Sequence, residues 1–196
     1  MIYVVSRFNH KISWLKDYAN KVYLYDRSPI PEPNSIIVPN VGTDIYDKLT
    51  FIIDNYNNLP DVAVYTKANL FDYIKPREFE KICNNTTFTP ILSQEHHTYM
   101  PVCFYKDGMY NEKNDEWYLS QFPCKNKDSY TQLVALLDAH KREYNAFAPG
   151  SNYILPRETI LKYPKSFYEK LRSFLDWTIY PGEAQLIERN LYYIWK

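Results

Sequence analysis

The chain has 196 residues, 45% apolar and 23% charged, with 23 Lys and Arg balancing 23 Asp and Glu. That length suits one domain with a sizeable core and hardly two, and the composition excludes a disordered chain. Balanced charge supplies no basic field for non-specific nucleic-acid binding, although local positive charge can still hold a small phosphate ligand.

In chain order, Ile2 to Val5 is a β-branched and aromatic run that reads as a buried first strand, not as a signal peptide. Ser6-Arg7-Phe8-Asn9 breaks it, and Ile12, Trp14, Leu15 and Tyr18 follow at helical spacing. Val22 to Tyr25 is a second strand, ended by Asp26-Arg27-Ser28-Pro29. Pro29, Pro31 and Pro33 then stiffen an extended loop. Ile36 to Val38 is a third strand, closed by Pro39-Asn40-Val41-Gly42. Asp44 to Tyr56 is a helix with Ile45, Leu49, Ile52, Ile53 and Tyr56 on one face. Val62 to Tyr65 is a fourth strand. The alternation predicts an α/β, Rossmann-like domain: a mixed, mostly parallel central sheet flanked by helices. Such sheets bind ligands beyond the carboxyl ends of their strands. Here those ends carry Ser6-Arg7, Asp26-Arg27, Asn40 to Gly42, and Lys67 to Asn69.

From Thr86 to Asn126 the pattern is less regular. Thr89 to Leu92 and Tyr99 to Tyr105 read as strands, with a turn at Lys106-Asp107-Gly108. Tyr130 to Tyr144 and Pro164 to Trp177 read as helices. A Gly-Ser turn at Gly150-Ser151 leads into the short strand Tyr153 to Leu155 and a helix start at Arg157-Glu158. Pro181-Gly182-Glu183 opens a last helix. With no linker and no repeat, residues 1–196 read as a single domain with halves of about 1–80 and 81–196. A chain ending straight out of a helix at Ile194-Trp195-Lys196 suits one domain of a longer polypeptide. No run of ~18 apolar residues is present, so no membrane span is expected. The isolated Cys83, Cys103 and Cys124 form no CxxC pair, which points away from zinc or a disulfide framework and toward a reducing, cytoplasmic compartment.

Several side chains can carry chemistry. Arg7 has the fork that matches phosphate oxygens, or it is a surface ion pair. Asp26 can accept from a ribose hydroxyl or a base N–H, or it is a turn residue. The backbone from Asn40 to Gly42 can face a phosphate, or Thr43 or Asp44 caps the next helix. Asp72 is a single carboxylate for a divalent ion or an N-cap, while Lys67 can neutralise phosphate without metal. In Gln94-Glu95-His96-His97 the adjacent histidines diverge on a strand and lack a third ligand, so a polar loop is the expectation. Asn114-Asp115-Glu116-Trp117 is an acidic-aromatic loop. Glu183 sits in the first turn of the last helix, where the dipole keeps a carboxylate ionised. It is either a general base or a surface residue that stabilises the helix. Glu188, five residues on, points away from that face.

Val4-Val5-Ser6-Arg7-Phe8-Asn9, Asn40-Val41-Gly42, Ile52 to Asp61 and Phe71-Asp72 resemble small GT-A-type glycosyltransferases, among them the chlorella virus enzymes of the major capsid protein. Gly150-Ser151-x-Tyr153, Arg157-Glu158 and Gly182-Glu183 are similar to the core-2 type N-acetylglucosaminyltransferases. The first resemblance spans residues 2–75 and the second residues 149–195. Together they imply a GT-A fold, a UDP-sugar donor, a glycan or glycoprotein acceptor and inverting transfer in viral capsid glycan synthesis, in the host cytoplasm. They imply a donor site at Ser6, Arg7, Asp26, Asn40, Gly42, Lys67 and Asn69. Acceptor contacts fall at Ser151, Asn152 and Arg157, and Glu183 takes the acceptor proton. For the viral members they imply Mn²⁺ (or Mg²⁺), here at Asp72. The Asp-x-Asp usual after the fourth strand is missing, and core-2 type enzymes use basic side chains instead. A non-catalytic nucleotide- or sugar-binding module on the same fold is the alternative.

Overall fold

The computed structural model of the protein describes residues 1–95 and 98–196. The first apolar run forms β1, Ile2–Arg7, followed by one helical turn, α1, Leu15–Tyr18. Then come β2, Lys21–Asp26, the two-residue β3, Ile36–Ile37, the helix α2, Thr43–Asp54, and β4, Val62–Lys67. The irregular middle holds α3, Pro76–Phe79, β5, Thr89–Pro90, and the hairpin of β6, Cys103–Lys106, with β7, Met109–Lys113. Beyond it lie α4, Lys127–Leu136, β8, Tyr144–Phe147, β9, Tyr153–Pro156, α5, Arg157–Ile160, α6, Lys165–Ser173, and α7, Gly182–Trp195.

The architecture is α/β, with a six-stranded central sheet in the order β3-β2-β1-β4-β9-β5. The first four run parallel, and β9 lies antiparallel to β4 and to β5. A strand aims successive side chains at opposite faces. Accordingly Val4, Tyr65, Tyr153 and Leu155 pack with Ile45, Leu49 and Ile52 of α2 and with α6 and α7. Their neighbours Val5, Val64 and Ile154 pack on the other face with Leu15, Leu70 and Phe79. Burying each such aliphatic side chain contributes about 1.5–3 kcal/mol.

A second sheet, β6-β7-β8, is antiparallel. Its β6–β7 turn places Asp107 at φ 52° and Gly108 at φ 75°, the left-handed pair that suits a tight hairpin. β8 rests on α7.

Three expected elements differ. The helix predicted over Tyr130 to Tyr144 starts earlier, where Asn126 accepts the Ser129 N–H at 2.7 Å, and ends at Leu136. Asp138 at φ 50° breaks it, and Tyr144 belongs to β8 instead. The strand predicted from Tyr99 begins only at Cys103. The strand predicted over Ile36 to Val38 is two exposed edge residues.

Candidate functional site

The carboxyl ends of β1, β2 and β4 open into a cavity of about 290 Å³ whose walls include Ser6, Arg7, Arg27, Asn40, Asp44, Lys67, Asn69 and Tyr73. Phe8, Ile179 and Tyr180, all substantially exposed, form its apolar rim. A second cavity of about 400 Å³ lies beside it, bounded by Tyr110 and Glu112 of β7, Phe147, Pro149, Gly150, and Glu188 and Arg189 of α7. Lys67 and Tyr73 line both.

Under the first cavity lies a charged network. Lys48, one turn after Asp44 on α2, donates to Asp44 Oδ2 at 2.5 Å and to the Ser151 carbonyl and hydroxyl oxygens at 2.6 Å each. The Ser151 hydroxyl also donates to Asp44, and Lys67 Nζ stands 3.2 Å from Asp44 Oδ1. Burial alone raises the Asp44 carboxyl. The Lys48 and Lys67 ammoniums and the bonds from Lys48 and Ser151 outweigh it and hold Asp44 well below the usual carboxylate range. Burial pulls Lys48 down. It also works against Lys67, but the charges of Asp44 and Glu188 overcome it and keep Lys67 protonated.

The two arginines of the first cavity are also paired. Arg7 donates to Asp26 at 2.6 Å, to Ser28 Oγ and to the His10 carbonyl, and lies 3.1 Å from Glu32. Arg27 lies 2.5 Å from Asp47 and donates to the Val41 carbonyl. Burial pushes Asp47 up to about 7 despite Arg27. Burial likewise raises Asp26, yet bonds from Ser28, from the Glu32 N–H and from Arg7 bring it below its ordinary value.

The sequence-based site therefore divides. Ser6, Arg7, Asn40, Lys67 and Asn69 line the first cavity. Asp26 is completely buried beneath Arg7 and faces no ligand space, because its oxygens are used in holding Arg7 and the following loop. Gly42 does start a helix, but its N–H donates to the Thr178 carbonyl and that of Thr43 to Ile179, so these donors are not turned to a phosphate. Ser151 and Asn152 are buried supports: Asn152 accepts from Thr66 and from the Lys67 N–H. Arg157 lies at the opposite end of the sheet, paired with Asp61, because β9 runs antiparallel. Asp72 sits on an exposed turn outside the cavity, accepting from Asn69. Glu183 lines neither cavity. It is fully buried and accepts the Lys125 N–H at 2.9 Å, which ties the approach to α4 onto α7.

The residues present do not fit a divalent ion well. Asp44 is the carboxylate at the first cavity, and both its oxygens face ammonium groups. Among the described residues no group of three or more His, Cys, Asp and Glu converges. His96 and His97 lie outside the described residues. Asn114 of the acidic-aromatic loop bonds the Ala139 and Arg142 carbonyls, a structural task.

Asp44, Lys48, Tyr73 and Glu188 are the site residues that sequence reasoning passed over. The Asp44/Lys48 spacing of four residues on a helix was a readable signal, since it puts opposite charges on one face. Glu188 follows Glu183 by five residues, and nothing local in the sequence tells which face of α7 turns to the cavity. No family model, no curated protein and no solved structure matches the chain.

Proposed function

We propose that the protein is a glycosyltransferase that moves a sugar from a UDP-sugar to a hydroxyl of a glycan or protein acceptor. The observation that carries this reading is the pair of adjoining cavities with Lys67 at their boundary. A transfer between two substrates needs two sites whose reacting atoms meet, and holding them together removes much of the entropic barrier. The first cavity pairs cations with an aromatic and apolar rim, which suits a nucleoside diphosphate. Lys67, kept protonated, stands where charge develops on the departing UDP, and stabilising that charge is the main catalytic need. Direct attack by the acceptor inverts the anomeric carbon.

The GT-A assignment and a place in viral capsid glycan synthesis in the host cytoplasm belong to the same proposal and rest on the sequence resemblance. The carboxylate partners of Arg7, Arg27 and Lys67 favour one second reading, a nucleotide- or sugar-binding module without turnover. UDP-sugar consumption separates the two. The transferase releases UDP from UDP-glucose, UDP-galactose or UDP-N-acetylglucosamine, whereas the binding module is stabilised by UDP and leaves all three intact.

A further inference from the structure

Three carboxylates reach the two cavities, and they are not alike. Asp44 is held by Lys48, Lys67 and Ser151. Glu112 is held by Arg189, whose Nε donates to it at 2.6 Å in a buried pair. Glu188 is half-buried on the wall of the second cavity, and its Oε1 accepts a neutral donor, the Gly150 N–H, at 2.7 Å. Among the described residues no ion pair engages it. A carboxylate committed to an ammonium or guanidinium resists taking a proton, whereas Glu188 is fixed in place at the cavity wall by a neutral amide.

We propose that Glu188 is the residue that takes the proton of the acceptor hydroxyl, and that the second cavity accepts an uncharged, polyhydroxylated ligand, a saccharide. This rests on the transferase reading. The charge of the second cavity supports the ligand class. Glu112 and Arg189 cancel, Asp44 is shared between Lys48 and Lys67, and Glu188 offsets the remaining cation, so the space is net neutral, which suits an uncharged ligand. Tyr73, Tyr110 and Phe147 line the second cavity, and aromatic side chains of this kind combine an apolar ring with, in tyrosine, a polar hydroxyl.

The acceptor O–H bond breaks and its proton passes to Glu188. The freed oxygen pair forms the bond to the anomeric carbon. The bond from that carbon to the diphosphate oxygen breaks, and its electron pair leaves with UDP beside Lys67. Glu188 then returns the proton to solvent. Water in the second cavity follows the same course and yields the free sugar.

The test compares the wild type, Glu188→Gln and Glu183→Gln. Three quantities are read: the thermal shift with UDP, UDP release from UDP-glucose, UDP-galactose and UDP-N-acetylglucosamine, and saturation-transfer NMR contact with glucose, galactose and N-acetylglucosamine on the UDP-saturated protein. Glu188→Gln is expected to keep the UDP shift and lower UDP release about 10²–10⁴-fold. Glu183→Gln is expected to lower the unfolding midpoint while release per folded molecule stays near wild type. UDP binding without Glu188-dependent release overturns the Glu188 assignment and leaves the donor site standing. UDP release without contact to any of the sugars overturns the saccharide assignment of the second cavity. Absence of UDP binding by the wild type overturns the donor reading and this inference with it.

Discussion

Lys48 and Ser151, 103 residues apart in sequence, meet through one ammonium group that donates to both the carbonyl and the hydroxyl oxygen of Ser151. Asp44 completes the contact, so α2 is bolted to the turn that precedes β9. All three residues are buried, and removing one partner leaves an uncompensated charge. Lys48→Met is therefore expected to lower unfolding free energy by about 3–5 kcal/mol in urea titrations. Joint replacement of Asp44 and Lys48 by apolar residues is expected to restore part of that loss, and a single-variant loss below about 1 kcal/mol contradicts this role.

The pH dependence of stability carries two opposing signatures. Asp44 is lowered in the fold, so its contribution is present above the unfolded carboxylate value of about 3.9 and lost as pH falls below it. Asp47 is raised to about 7, so its contribution is fully present below about pH 3.9 and is lost as pH rises through 7. Unfolding free energy is expected to decline between about pH 4 and 7 through Asp47. In Asp47→Asn that slope is expected to flatten, even though Arg27 loses its partner and overall stability falls. An unchanged slope in the variant argues against the assignment.

Two glycines with the same left-handed backbone separate conformational strain from collision. A Cβ at Gly108 meets nothing within 4 Å, whereas one at Gly42 lies 2.6 Å from Leu175 Cβ and 2.8 Å from the Leu175 carbonyl oxygen. Gly108→Ala is expected to cost about 1–2 kcal/mol, the ordinary penalty of that conformation. Gly42→Ala is expected to cost clearly more and to loosen the strap that covers the start of α2. Equal melting points for the two variants contradict this packing.

Lys67 is the residue whose loss should touch ligand more than fold. Lys48 remains to hold Asp44 when Lys67 is replaced. Lys67→Met is expected to weaken UDP binding about 30-fold or more by calorimetry, since truncating a buried charged contact costs about 2–5 kcal/mol. An affinity within about threefold of wild type excludes Lys67 from the diphosphate site.

The parallel half of the sheet was legible because its signals are local. Val4, Val64 and Tyr65 are β-branched or aromatic runs, and Ile45, Leu49 and Ile52 keep helical spacing. The same logic located Ser6, Arg7 and Lys67 at strand ends. What it lacked was long-range pairing. Nothing near Tyr144 announces that it pairs with Lys113, so β8 read as the end of a helix. Arg157 read as a ligand contact because the antiparallel run of β9, which carries it to the far end of the sheet, is a tertiary choice. Glu183 met every local criterion for an active carboxylate, and only the packing of the approach to α4 over α7 buries it.

Thermal unfolding of the wild type with UDP, GDP and CMP, each with and without Mn²⁺, tests the central claim most directly. A ligand that binds only the folded chain raises its stability by RT ln(1 + [L]/Kd), about 2.7 kcal/mol at a hundredfold excess over Kd. For a chain of this length that corresponds to a rise of roughly 5–11 °C. The expected result is a concentration-dependent rise with UDP alone, undiminished by removal of metal and clearly smaller in Lys67→Met at the same UDP concentration. A midpoint unmoved by any of the three nucleotides, with or without Mn²⁺, contradicts the donor site and the transferase reading built on it.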